Sequence, residues 1–262
     1  MLAYFSRQTI NFFWIAFTSI SAAYATEKIV IYGDDNYAPY SYVEDGNFKG
    51  MYIDILQQAA KKLAPAYAVE LQAIPWKRGL AELQDGTSFA LFPPGLKKER
   101  AYIQPYSVVI YRETEVLFCN DAVMKSSRKI FPDDFTGLTI GINLGFLLSD
   151  RLMQAAKQGS IKLDPAEGNE TNLKKLALHR IDCYASDRAA AVYSMKRLRS
   201  NFVVSNFSLQ EAVELSGEDT FIAYSAKNNP TYKADFVSKM NTVLETMKKN
   251  GDIAKIENAY LR

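Results

Sequence analysis

Histidine is almost absent from this 262-residue chain, where His179 stands alone. It falls in Leu178-His179-Arg180, at the end of a predicted helix, which reads as a solvated terminal position. With no imidazole near Cys119 or any serine, Ser-His-Asp and Cys-His catalysis lack a base. Cysteine is scarce too: there are two, Cys119 and Cys183, and no Cys/His cluster has metal-ligand spacing. No glycine-rich loop has the spacing that cradles phosphate. An excess of charge is also missing. Lys and Arg total 31 against 29 Asp and Glu, so the net charge of +2 gives no electrostatic basis for binding nucleic acid or an anionic membrane. Beyond residue 25 no segment reaches the ~18 uninterrupted apolar residues of a membrane span.

Residues 1–25 have the features of an export signal. Arg7 supplies a positive start, Ile10 to Ile20 is apolar but short for a bilayer, and Ala23-Tyr24-Ala25 is a small-x-small cleavage site. The expectation is a mature, periplasmic chain beginning at Thr26; an uncleaved membrane anchor is the alternative. The remaining length suits two lobes of ~100 residues each. An even cysteine count in an oxidising compartment permits a disulfide. Both cysteines sit in apolar runs, however, and buried free thiols are the preferred reading.

Lys28 to Gly33 reads as a buried strand, and Asp45-Gly46 between Tyr42-Val43 and Phe48 as a hairpin turn. Apolar positions 52, 56, 59, 60 and 63 share one helical face ended by Pro65. Val69 to Ala73 alternates as a strand, Leu80 to Leu83 is a short helix stopped by Asp85-Gly86, and Ser88 to Phe92 is a third strand. This β-loop-α-β-α-β order predicts a parallel sheet covered by helices. A similar pattern restarts with Val116 to Cys119, a strand at Leu138 to Ile142 and a helix at Phe146 to Ala156. A helix at Asn169 to Leu178, a strand at Ile181 to Ala185 and an Ala-rich helix from Asp187 to about Lys196 follow. Pro230 to Leu261 reads as two helices divided by Asn250-Gly251. The segments 108–116 and 211–221 look extended and apolar, suited to two strand-like crossings that form a hinge beside a cleft.

Tyr37-Ala38-Pro39-Tyr40, Gly50-Met51-Tyr52-Ile53-Asp54-Ile55, Pro75-Trp76, Leu83-Gln84-Asp85-Gly86 and Glu99-Arg100 occur in order. Phe135 to Ile142, Leu176 to Asp187 and Gly251 to Tyr260 continue the series. Together they resemble the periplasmic amino-acid-binding proteins of ABC importers, solute-binding protein family 3, over nearly the whole mature chain. The resemblance implies an α/β, two-lobed type II periplasmic-binding-protein fold with a two-strand hinge and interlobe cleft. It implies lobe 1 from residues 26–114 plus 220–262 and lobe 2 from 115–219. It also implies a small zwitterionic ligand, a permease partner in the inner membrane, a monomeric state and no cofactor.

By the same resemblance Arg100 clamps the ligand carboxylate and Asp187 takes its ammonium, as a guanidinium fork and a carboxylate are suited to do. Tyr37 and Trp76 become aromatic walls and Asp34 a side-chain or ammonium contact. Arg78, beside Trp76, is outside that pattern and reads either as a second cation at the cleft or as a solvated residue. The backbone near Pro94 and Gly145 adds polar contacts. Two departures bear on the pocket. Pro93-Pro94-Gly95-Leu96 is one residue shorter than the usual element and lacks proline N–H donors, and Phe146 follows Gly145 where relatives carry a hydroxyl.

Each residue also has a structural reading. Arg100 can pair with Glu99, Asp187 can cap the helix it begins, Tyr37 and Trp76 can be packing aromatics, and Asp54 suits a helix start. The functional expectation is capture of an amino acid or similar zwitterion by lobe closure and delivery to an ABC permease. The alternatives are a periplasmic dehydratase or lyase on the same fold, or a ligand sensor without transport.

Overall fold

A computed structural model describes residues 26–144, 149–200 and 207–261. The expected export signal at 1–25 and the expected site residues Gly145 and Phe146 lie outside the described residues.

The chain opens with β1 (Glu27–Asp34), then β2 (Asn36–Tyr37), β3 (Ser41–Glu44) and β4 (Asn47–Lys49). Asp45 and Gly46 turn β3 into β4 with φ of 53° and 73°, the positive pair that a tight two-residue hairpin needs. Helix α1 (Met51–Leu63) follows, burying Tyr52, Ile55, Leu56, Ala59 and Leu63. Next come β5 (Tyr67–Ile74), α2 (Trp76–Asp85), β6 (Ala90–Phe92), β7 (Ile103–Tyr106) and β8 (Tyr111–Cys119). Gly86 ends α2 in the left-handed region, its N–H donating to the Glu82 carbonyl. The second half contains β9 (Thr139–Asn143), α3 (Asp150–Lys157), β10 (Lys162–Ala166), α4 (Gly168–Ala177), β11 (Cys183–Asp187) and α5 (Arg188–Ser200). The long β12 (Gln210–Thr220), β13 (Ala223–Ser225), α6 (Lys233–Lys249) and α7 (Asp252–Leu261) complete it.

Two five-stranded sheets result, each the centre of a lobe. The first has the order β5-β1-β6-β13-β7 and the second β10-β9-β11-β8-β12, while β2-β3-β4 form a small third sheet. In the first sheet β5, β1 and β6 are parallel, as the β-α-β pattern predicts. The edge corrects that expectation, because β13 returns from late in the chain and runs antiparallel to both β6 and β7. The connection between lobes is double. Ser107 and Ile110 donate backbone N–H bonds to the carbonyls of Ile222 and Thr220, and β8 and β12 then pair antiparallel into the second sheet. The segments read as extended are extended. They are not apolar, since glutamates occupy positions 113, 115, 211, 214 and 218.

The first core packs α1, α6 and α7 against its sheet through Ile29, Ile31, Leu56, Phe236, Met240 and Leu244. The second sheet has a core on each face, one around Phe135 and Leu152 and one around Leu173 and Met195.

The preference for free thiols is overturned: Cys119 and Cys183 form a disulfide. Both are fully buried, as their apolar runs imply. The antiparallel register of β8 and β11 sets them directly opposite each other. The next pair along carries the ladder bond, from Asn120 N–H to the Asp182 carbonyl, so the cysteines occupy a closely spaced non-hydrogen-bonded pair. Their Cα atoms are 4.0 Å apart. That proximity follows from strand pairing, which local hydrophobicity does not reveal. Among the described residues, no helix is long and apolar enough to cross a membrane.

Candidate ligand-binding cleft

A cleft of about 1280 Å³ runs between the two main sheets. Asp34 ends β1 and Asp187 ends β11, and both side chains line it. This is the crevice beyond the carboxyl ends of strands where open α/β sheets bind ligands.

Arg100 and Trp76 form one wall together. The guanidinium lies over the indole at 5.8 Å and donates one N–H to the Gly95 carbonyl at 3.0 Å. These contacts fix the plane of the fork, and among the described residues no carboxylate pairs with it, Glu99 included. Arg78 stands elsewhere. It is exposed on α2, 3.9 Å from Glu82 one helical turn on, and is not on the cleft wall. The physical reason is helical phase, since residues two apart on a helix do not face the same side. Pro94 is buried behind the wall, and its neighbours Pro93 and Gly95 line the cleft instead.

Asp187 caps α5 and also lines the cleft. One oxygen accepts from Ala190 N–H at 2.8 Å, capping α5, and from the Tyr40 hydroxyl at 2.7 Å. The other accepts from Thr114 N–H at 3.3 Å. Burial nevertheless raises its pKa, with the capping and tyrosine bonds working in the opposite direction. Asp34 is likewise raised by burial, offset by the Asn36 amide. Tyr37 lines the cleft with its hydroxyl committed to Glu113 at 2.6 Å.

Glu113 is the main residue that sequence reasoning missed. Its two oxygens accept from Tyr37 and Tyr52, each at 2.6 Å. Burial, reinforced by the nearby Asp187 charge, pushes its pKa up to about 8 despite those hydroxyls. Glu115 and Glu218 line the cleft as well. Glu113 faces Glu218 across β8 and β12, and Glu115 faces Asp187 across β8 and β11. Because strand side chains alternate with period two, all four carboxylates share one sheet face. Like charges directly opposite oppose folding on the scale of roughly 0.2–1 kcal/mol per pair. A signal was present in the sequence, namely glutamates at alternate positions 113 and 115 of an extended segment. Only pairing with β11 and β12 shows what faces them.

The second lobe adds an amide wall. The Tyr184 hydroxyl donates to the Asn169 side-chain oxygen at 2.6 Å and lies 3.0 Å from that of Asn143, and the Asn143 amide donates to Asn169 at 2.5 Å.

The sequence profile of the bacterial extracellular solute-binding proteins, family 3, matches residues 29–262. The chain belongs to that family. Among its relatives is the "Probable amino-acid-binding protein YxeM" of Bacillus subtilis, 22% identical over 231 residues, which covers 85% of this chain and 79% of the relative. Among solved structures, substrate-binding domain 2 of Lactococcus lactis GlnP in the open conformation superposes with a TM-score of 0.72 at 18% identity. That match covers 90% of this chain and 96% of that one. The unliganded, open L-cystine solute receptor of Neisseria gonorrhoeae gives 0.70 at 19%, covering 91% and 94%. These likenesses establish the two-lobed type II periplasmic-binding fold.

Proposed function

We propose that the protein captures an amino acid or similar small zwitterion by lobe closure and delivers it to an ABC permease from the periplasm, acting as a monomer. The lobes divide as residues 26–114 with 220–262 against 115–219. One observation carries the reading: Arg100, a guanidinium that no carboxylate among the described residues pairs with, and Asp187, a half-buried carboxylate, line the same cleft from different lobes. A ligand that bonds to both favours the closed state over the open one, and that difference in affinity drives closure. The amino-acid-binding names of the relatives agree with this choice. Glu113, with its raised pKa, also supports a second reading as a general acid in a dehydratase or lyase on this fold.

A thermal-shift screen of residues 26–262 against amino acids, small peptides, carboxylates and polyamines tests the proposal. A ligand at ~100 times its Kd adds about 2.7 kcal/mol, which shifts Tm by roughly 5–10 °C in a chain of this size. The expected result is a saturable shift with an amino acid that is recovered unchanged. Consumption of the ligand would favour the enzyme, and no shift with any zwitterion would remove the amino-acid reading.

A further inference from the structure

The charges of the cleft are not those of a site for a neutral zwitterion. One guanidinium and one carboxylate suffice for an α-carboxylate and an α-ammonium. Here Asp187 shares its sheet face with Glu113, Glu115 and Glu218. Among the described residues none of the four forms an ion pair, and every hydrogen bond they accept comes from a neutral hydroxyl or amide. Lys97 and Arg151 line the cleft with Arg100, but Arg151 is turned to the carbonyls of Phe131, Glu214 and Leu215.

The Glu115 side chain is an independent sign of an unfilled position. Its Oε2 accepts from Ser149 N–H at 2.9 Å and from the Ser216 hydroxyl at 3.1 Å. Its Oε1 is shielded from solvent and has no partner among the described residues. A carboxylate oxygen left in that state lacks a donor. Glu218 lies against Gly95, which pairs with Thr220 at the end of the same strand, and even a β-carbon on that glycine would collide with the Glu218 carboxylate. Acidic groups therefore reach from Asp187 to the Arg100 wall, because Arg100 donates to that same glycine. They do not converge on a point: among the described residues no three acidic or imidazole side chains are grouped to hold a metal ion. An elongated organic cation suits such a spread, and the ring of Tyr37, which lines the cleft, offers it a π-face.

We propose that the ligand carries a second cationic group, an ammonium or guanidinium, and that Glu113, Glu115 and Glu218 form the subsite that receives it. The inference rests on the solute-binding reading and narrows it to basic amino acids or diamines. The two differ in whether Arg100 has a carboxylate to bind. Uncharged isosteres leave the carboxylates unpaired and bind weakly.

The test is calorimetric titration of residues 26–262 at pH 8 with lysine and arginine, their uncharged isosteres norleucine and citrulline, glutamine, leucine, glutamate, putrescine and cadaverine. The expected result is a cationic ligand favoured at least ~10-fold over its isostere. Glu113→Gln and Glu218→Gln should each weaken cation binding by a similar factor, with Tm unchanged or raised because a like-charge contact is gone. Asp219→Asn is the matched control. It removes the same charge from β12, but Asp219 pairs with Arg112 away from the cleft, and cation affinity should hold. If glutamine, leucine or an isostere binds as tightly as its cationic counterpart, the second-cation inference falls and the amino-acid reading stands. Binding of diamines alone upholds the inference and removes the zwitterion. No binding by any member of the panel removes both. Full cation affinity in both glutamine variants would also overturn the inference.

Discussion

The Tyr40 hydroxyl donates to Asp187 at 2.7 Å, so a residue from the core of the first lobe holds the carboxylate that caps α5 in the second. Tyr40 is fully buried, and its ring stacks on Tyr52 at 5.1 Å. Tyr40→Phe keeps that packing and removes one donor from an enclosed carboxylate. The expected cost is about 1–3 kcal/mol, read as a lower urea midpoint with an unchanged slope. An unaltered midpoint would show that the bond contributes no net stability.

Arg100→Ala should weaken amino-acid binding about 100-fold, equivalent to the ~2.7 kcal/mol of a charge-assisted bidentate contact. Asp54→Ala makes the contrast. Asp54 accepts from Tyr260 at 2.7 Å and ties α1 to α7, so its loss should cost about 0.5–1.5 kcal/mol of stability and leave affinity intact. Calorimetry and thermal unfolding on the same two variants separate the effects, and equal affinity in the Arg100 variant would remove that residue from the site.

The free protein should lose stability as pH rises from about 4.5 to about 8. Glu113 has its folded pKa raised to about 8 against an ordinary glutamate value of 4.5, so between these values the folded chain binds more protons than the unfolded one. Its contribution is fully present below the unfolded value and is lost as pH climbs through the folded one. Asp187 is shifted in the same direction. Tm measured across this range should decline, and Glu113→Gln should flatten the decline. A profile of identical slope in the variant would assign it to other groups.

Reduction of Cys119–Cys183 should destabilise the second lobe. The bridge closes a loop with a sequence separation of 64, for which the chain-entropy account gives about 4 kcal/mol. Thermal unfolding with and without reductant measures this, and the doubly substituted Cys119→Ala/Cys183→Ala chain should match the reduced protein. Equal Tm in both states would place the benefit of the bridge outside equilibrium stability.

Gly50→Ala should be among the most damaging single changes in the first lobe. Its φ of 133° is a conformation that L side chains rarely adopt, and a β-carbon there would strike the Tyr40 carbonyl oxygen. A loss of at least ~1 kcal/mol is expected, seen as a lower melting temperature. Wild-type stability would show that the Tyr40 segment yields, and with it the Asp187 contact.

The sequence by itself determined many of the elements and the family, but not β7, β10 or β13. Helix α1 was legible because its apolar residues recur at helical spacing before Pro65. The β3–β4 turn was legible because Asp-Gly tolerates positive φ, and the two tail helices because Asn250-Gly251 interrupts them. Arg100 and Asp187 stood out because a run of motifs surrounds them in order. All these signals lie within a few residues of one another along the chain.

Tertiary structure alone decided what faces what. The disulfide, the antiparallel return of β13, the exposed position of Arg78 and the four-carboxylate face depend on register between segments tens of residues apart. A single sequence records which side chains alternate along a strand. It does not record which strand lies beside it, because pairing is settled by the burial of whole sheets rather than by local preference. For Glu113 it is the flanking by β11 and β12, and the hydroxyls of Tyr37 and Tyr52, that enclose the carboxylate.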